Sequence, residues 1–208
     1  MLTYSNTAVM NIEGAIRGAR NPMNSWHLSD SYVDEGGKFV VGAADLDLGR
    51  RLARAGSDHR KFLRQIFVSV DVKAPIYWWK EFDTYKVGTV ANSTSTMHKI
   101  HSKEFSTDDF STDHLTEGGM KALEGLLAYL EDCRLKFNET KDKSAWYDII
   151  SLLPSGYEQT RTLTMNYENL INIYYARKDH KLSEWHIFCD WIKTLPYADE
   201  WILIKEQK

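Results

Sequence analysis

Staples and breaks are scarce in this chain of 208 residues, which has two cysteines, four prolines and no low-complexity or linker-like tract. Cys133 and Cys189 each fall inside an apolar helical pattern, so they are expected as reduced, packed thiols and not as a disulfide framework. Pro22, Pro75, Pro154 and Pro196 punctuate elements without dividing domains, and with no internal repeat, residues 1–208 read as a single domain. No apolar run approaches the roughly 20 residues that cross a bilayer. The opening Met1-Leu2-Thr3-Tyr4 lacks the basic and apolar regions of a signal peptide, so a cytoplasmic protein with no membrane partner is expected. An excess of one charge is lacking too. The 26 Lys and Arg against 29 Asp and Glu leave a net charge of −3, without the basic footprint of general nucleic-acid binding.

Signature motifs are equally absent: there is no G-x-x-x-x-G-K-[ST] loop, no G-x-G-x-x-G, no H-E-x-x-H and no C-x-x-C. His98 and His101 stand three apart, but no carboxylate or cysteine is obviously matched to them, so no metal site is expected. Asp58-His59-Arg60-Lys61 offers a general base and anion contacts, although a charged loop before a strand is the readier reading.

Aromatic side chains are plentiful, with 7 Trp, 11 Tyr and 8 Phe, enough to cover a core or an interface. Thr7 to Glu13 reads as a short strand leading into Gly14 to Arg20, followed by loop-rich chain as far as Gly37. Asp45 is a plausible N-cap for an amphipathic helix through Leu46, Leu48, Leu52 and Ala53 that ends near Gly56. Ile66, Val68, Val70 and Val72 alternate with other residues at the period of a half-buried strand, and Pro75 suits the first turn of a helix carrying Tyr77, Trp78, Trp79 and Phe82. Met120, Leu123, Leu127, Leu130 and Phe137 recur at helical spacing and predict the longest helix over 117–137. Helices are also predicted over 146–153, stopped by Pro154, and over 165–176 and 185–195. Early strands and late helices predict an α+β fold, with helices packed on an antiparallel or mixed sheet.

Three segments carry a resemblance. Val72-Lys73-Ala74-Pro75-Ile76 ends a strand and leads into a helix. The chain then reads Thr84-Tyr85-Lys86, Thr89, and Asn92-Ser93-Thr94-Ser95-Thr96-Met97. Leu153-Pro154 is followed by Thr164-x-Asn166-x-x-x-Leu170-x-Asn172-x-x-x-x-Arg177, and Ala15-Ile16-Arg17-Gly18-Ala19-Arg20 forms an Ala-Arg-rich turn near the start. Taken in this order and spacing, from about residue 11 to 195, they resemble the flavin-dependent thymidylate synthase family. Thr84-Tyr85-Lys86 stands where the family has Arg-His-Arg, Thr89 at its first serine and Ser95 at its second. Met97 replaces its closing arginine, and Ile150 replaces a nucleotide-binding arginine on the helix before Pro154.

The resemblance implies reductive methylation of deoxyuridine monophosphate with FAD, at sites built between the subunits of a homotetramer. It assigns Arg177, Asn166 and Asn172 to a nucleotide and flavin region, with Asn166, Leu170, Ile173 and Arg177 expected on one helical face. Ser95, Lys86 and Tyr85 join them by position. Lys80, Lys86, Lys99 and Arg161 are candidate replacement cations, and Trp78, Trp79 and Tyr85 are candidate stacking rings. Guanidinium forks hold phosphates bidentately, whereas Lys is a point charge and Thr, Met and Ile carry none. The expected function is therefore binding of a pyrimidine nucleotide, with FAD possible and conventional dUMP methylation doubtful. The alternative is a non-catalytic protein that binds or sequesters a nucleotide-like molecule.

Overall fold

The computed structural model describes residues 1–204. Strand β1 (Thr3–Met10) leads into helix α1 (Ile12–Arg20). Strands β2 (Tyr32–Val33) and β3 (Phe39–Val40) precede α2 (Ala43–Arg54), and a 3-10 turn (Arg60–Gln65) delivers the chain to β4 (Phe67–Pro75) and α3 (Ile76–Phe82). After β5 (Val90–Ser93) and the short α4 (Thr96–Lys99) come α5 (Glu117–Thr140) and α6 (Lys143–Leu152). Strand β6 (Glu158–Asn166), α7 (Tyr167–Arg177), α8 (Ser183–Lys193) and α9 (Ala198–Trp201) complete the order.

Four strands pair in the order β1-β4-β6-β5, giving an α+β architecture of helices with an antiparallel sheet. Strands β2 and β3 pair antiparallel, with Tyr32 opposite Val40 and Val33 opposite Phe39. On β4, Val68, Val70, Val72 and Ala74 are fully buried while Ser69, Asp71 and Lys73 are only partly so, as the period-two pattern predicts. No helix among the described residues is long and apolar enough to cross a membrane, and no cluster of His, Cys, Asp and Glu there is arranged to hold a metal ion.

The chain divides into two compact units. The first comprises Met1–Thr3, Val72–Thr84 and Asn92–Arg161. Its aromatic cluster is Trp78, Trp79 and Phe82 on α3, with Trp78 stacked on Phe82 at 5.2 Å. Helices α5 and α6 pack around Ile100, Cys133, Ala145 and Ile149. Thr116 caps α5 by accepting from Gly119 N at 3.1 Å, and Asp142 caps α6 by accepting from Ser144 N at 2.9 Å. Ile150, at a family arginine position, is packed against the apolar cluster of these helices.

The second unit comprises Tyr4–Asp71, Tyr85–Ala91 and Thr162–Lys208. Trp185, Phe188, Trp191, Ile192 and Trp201 fill its core from α8 and α9. Gly49 on α2 makes room for Trp201, since a Cβ there would overlap the indole, and Phe62 meets the same indole edge-on at 5.7 Å. Asp45 is wholly buried and accepts from Arg20 Nε at 2.5 Å, Ser29 Oγ at 2.6 Å and Ser31 Oγ at 2.5 Å. Burial raises the pKa of this carboxyl, but the three donors outweigh burial and hold it below the ordinary aspartate value. Cys133 and Cys189 are free and buried, and burial pushes the Cys189 thiol up to about 11.

Several local expectations need correction. Asp45 lies inside the first turn of α2 and does not cap it. The cap comes from a distant loop, where Asp30 accepts from Ala44 N at 2.8 Å and Asp45 N at 3.1 Å. Ala15 to Arg20 is helical instead of a turn. Residues 158–166 form a strand where the sequence predicts only the start of a helix at Met165, so α7 begins at Tyr167. Asn166 is its N-cap and lies outside the helical face expected to join it to Arg177.

Candidate functional site

Helix α7 organises the sequence-predicted residues of the second unit. At its start, Asn166 and Asn169 form a reciprocal capping box: Asn166 Oδ1 accepts from Asn169 N at 3.0 Å, and Asn169 Oδ1 accepts from Asn166 N at 3.1 Å. Asn169 also donates through Nδ2 to Val87 O at 2.7 Å, which ties residues 85–89 to the helix start. Gly88 follows in left-handed backbone, φ 74°, where a Cβ would lie 3.0 Å from Asn169 Oδ1 and 3.1 Å from Asn166 Nδ2. A larger residue is strained by the backbone there and crowds both asparagine side chains. The Thr89 hydroxyl beside it is buried and has no hydrogen-bond partner among the described residues.

Glu168, one residue into the helix, draws in two arginines of the 3-10 turn. Arg60 Nε donates to it at 3.2 Å, and Arg64 donates through Nε and, at 3.2 Å, through Nη2. Burial raises the Glu168 pKa, yet hydrogen bonds from Arg64 and Arg60 prevail and leave it below the ordinary glutamate value. Arg60 thus has a buried structural contact, and the charged-loop reading of residues 58–61 describes only part of the segment. His59, Asp58 and Lys61 line a cleft of about 470 Å³ with apolar walls from Leu48, Leu52 and Phe62.

At the far end of α7, Arg177 Nε donates to Tyr85 Oη at 2.8 Å. Its guanidinium lies 4.7 Å from the Trp185 ring centre and 5.5 Å from that of Tyr85. A cation held over two aromatic faces keeps its charge with less water around it, which strengthens its attraction for an anion. Tyr85 therefore serves Arg177 here, instead of standing alone as a stacking platform. Lys86 and Asn172 are solvent-exposed.

The other three assigned residues belong to the first unit. Arg161 is held by Asp83 at 2.7 Å and Gln159 Oε1 at 3.1 Å, with its guanidinium 4.3 Å over Trp79. Ser95 is exposed and caps α4 by accepting from His98 N at 3.1 Å. Lys80 is exposed on α3. At the positions where the resemblance expects cations, Thr84 Oγ1 donates to Glu81 O at 2.8 Å and Met97 is exposed.

Sequence reasoning singled out neither Asn169 nor Trp185. The Asn166-x-x-Asn169 spacing was legible as a capping box, but nothing in the sequence marks Trp185 as the surface on which Arg177 rests. A cleft of about 710 Å³ in the second unit, beside α1, includes none of the eight assigned residues.

No family model and no curated protein sequence matches this chain. Solved structures do match. A crystal structure of thymidylate synthase X from Helicobacter pylori with FAD and dUMP superposes with a TM-score of 0.69 at 17% identity, covering 97% of each chain. A UMP/dUMP methylase, PolB, from Streptomyces cacaoi bound with 5-Br dUMP superposes with a TM-score of 0.61 at 14% identity, covering 96% of this chain and 91% of the other. The chain has the fold of the flavin-dependent thymidylate synthases.

Proposed function

We propose that this chain binds a pyrimidine mononucleotide and that conventional dUMP methylation by it is weak or absent. The observation that carries the reading is the arrangement around α7: an asparagine capping box, the Gly88 cradle and the partnerless Thr89 hydroxyl at one end, and Arg177 on aromatic faces at the other. The neutral donors and acceptors suit the edge of a heteroaromatic base, and the arginine suits one anionic group. That the structural neighbours were crystallised with dUMP or its bromo analogue supports the same ligand class.

FAD places a further demand on the residues, because its diphosphate calls for several convergent cations. In the second unit Glu168 engages Arg60 and Arg64, and in the first unit Thr84, Met97 and Ile150 bring no charge to the positions where the resemblance places arginines. This donor set favours a mononucleotide over the FAD diphosphate. It favours the non-catalytic reading, a protein that holds or sequesters a nucleotide. The proposal extends to a homotetramer, for which Met23, Trp26, Leu28, Tyr32 and Val33 supply exposed apolar surface.

Calorimetric titration of the purified protein with dUMP and UMP tests the reading, alongside mass spectrometry of small molecules released by denaturation and a visible spectrum. Saturable binding without a flavin band is expected. Absence of binding for both nucleotides overturns the ligand class, and a flavin band overturns the mononucleotide-only site. Complementation of a thymidine-requiring bacterium overturns the loss of synthase activity, and a monomer in light scattering overturns the assembly.

A further inference from the structure

We infer that the second unit carries a separate binding site for a small aromatic anion of the aryl phosphate class, in the cleft of about 710 Å³ between the start of α1, the start of β3 and the chain that follows α8. The volume falls within the usual range of small-molecule sites, roughly 300–1,000 Å³. Its charge is unbalanced towards cations. Arg17 and Lys38 both line it, against one carboxylate, Glu13. Arg17 and Glu13 approach only to 3.9 Å, with 69% and 61% of their side chains exposed, so water screens the pair and leaves the guanidinium able to turn to a stronger anion. Lys38 enters no ion pair among the described residues and stands on the turn that opens β3.

The walls are aromatic and one of them is rigid. Tyr197 takes left-handed backbone, φ 57°, a conformation that non-glycine residues rarely adopt. Its ring lies 4.8 Å from Trp201, and its hydroxyl accepts from Val41 N at 3.1 Å. Backbone, ring and hydroxyl are all fixed, so the part of the wall that Tyr197 supplies is preformed and loses little freedom when a ligand settles on it. Phe39, half-buried, supplies a second ring from β3. Strained backbone of this kind concentrates at ligand sites, and here it holds an aromatic wall beside two cations.

These features select the ligand. Rings and aliphatic walls take a planar apolar body, and Arg17 and Lys38 take an anionic group attached to it. A phosphate, carrying more charge than a carboxylate and three acceptor oxygens, engages both cations together. A smaller cleft of about 310 Å³ shares Glu13, Arg17 and Phe39 with this one, which gives an elongated ligand room past Arg17. None of Tyr85, Thr89, Asn166, Asn169 and Arg177 lines either cleft, so the inference stands apart from the nucleotide reading.

Isothermal titration calorimetry of the full chain with phenyl phosphate, phenol, inorganic phosphate and benzoate tests it. Phenyl phosphate should saturate one site per chain, with phenol and inorganic phosphate each weaker by about tenfold or more, since each lacks half of the recognised chemistry, and benzoate between them. Arg17→Glu and Lys38→Glu should each weaken phenyl phosphate by about tenfold or more at an unchanged melting temperature. Lys38 is an exposed turn residue, so Lys38→Glu keeps the test valid if Arg17→Glu disturbs α1. Absence of saturable phenyl phosphate binding overturns the inference. So does inorganic phosphate binding as tightly as phenyl phosphate, or wild-type affinity in a well-folded Lys38→Glu protein.

Discussion

The two ends of α7 use arginine in opposite ways. At the start, Glu168 is buried, and Arg60 and Arg64 are drawn onto its carboxylate from the 3-10 turn. At the end, Arg177 rests over the rings of Trp185 and Tyr85, with its Nε on the Tyr85 hydroxyl. The first arrangement joins backbone segments through neutralised charge, and its loss is felt as stability. The second rests a half-buried cation on two aromatic rings, and under the proposed function its loss is felt in binding. An arginine at a family position is therefore not self-explanatory, because its partners decide which of the two it does.

Removing the carboxylate makes the sharpest break between the ends. Glu168→Ala leaves Arg60 buried without its acceptor and should cost about 3 kcal/mol or more of unfolding free energy in urea titration, well above an ordinary surface substitution. The Arg177 end should respond differently: Arg177→Ala is expected to weaken dUMP binding by about 1.5–3 kcal/mol while shifting the melting temperature little. Arg177→Lys should recover only part of that affinity, since a fork becomes a point donor. A lowered melting temperature with unchanged affinity would move Arg177 to the structural side of the comparison.

Acid should separate the ends as well. The Glu168 and Asp45 carboxyls have folded pKa values below their ordinary ones, despite burial, because donors favour the charged forms. Their stabilisation is thus fully present above the unfolded carboxylate range, near pH 4, and is lost as pH falls through the lower folded values. Stability measured from pH 6 downwards should decline across that window, and Glu168→Gln should flatten the decline. The smallest effect expected is for Asn166→Ala, about 1 kcal/mol from the lost cap, read by thermal melting.

Much of the architecture was legible in the sequence because it rests on periodicity. Val68, Val70 and Val72 alternate on β4, and Leu123, Leu127 and Leu130 recur on α5 as their spacing requires. Strand β6 escaped although Thr162-Leu163-Thr164-Met165 alternates and Leu163 and Met165 are buried, because the run is short, begins among charged and polar residues, and its Met165 also reads as the start of the helix that follows. The cap of α2 escaped for a related reason: Asp30 reaches it from outside local sequence, while Asp45, local and of the right type, is committed to Arg20, Ser29 and Ser31. Arg177, Asn166 and Tyr85 were singled out through resemblance, but the contacts among them, and the residues Asn169 and Trp185, were not. That Tyr85 supports Arg177, and that Trp185 lies beneath it, depends on three segments meeting in space, which no spacing rule encodes.

The unit that contains α7 is stitched together from three stretches of chain. Arg50 on α2 donates through Nη2 at 2.7 Å to Glu200 on α9, a partner 150 positions away. The Trp201 indole settles over Gly49 across a similar span. Such contacts close very large loops before they return any stabilisation, which slows folding. Helices α5 and α6, by contrast, are neighbours in sequence and meet through local contacts. During refolding the α5–α6 pair should acquire protection from hydrogen exchange early, and the indole of Trp201 should reach its native environment late.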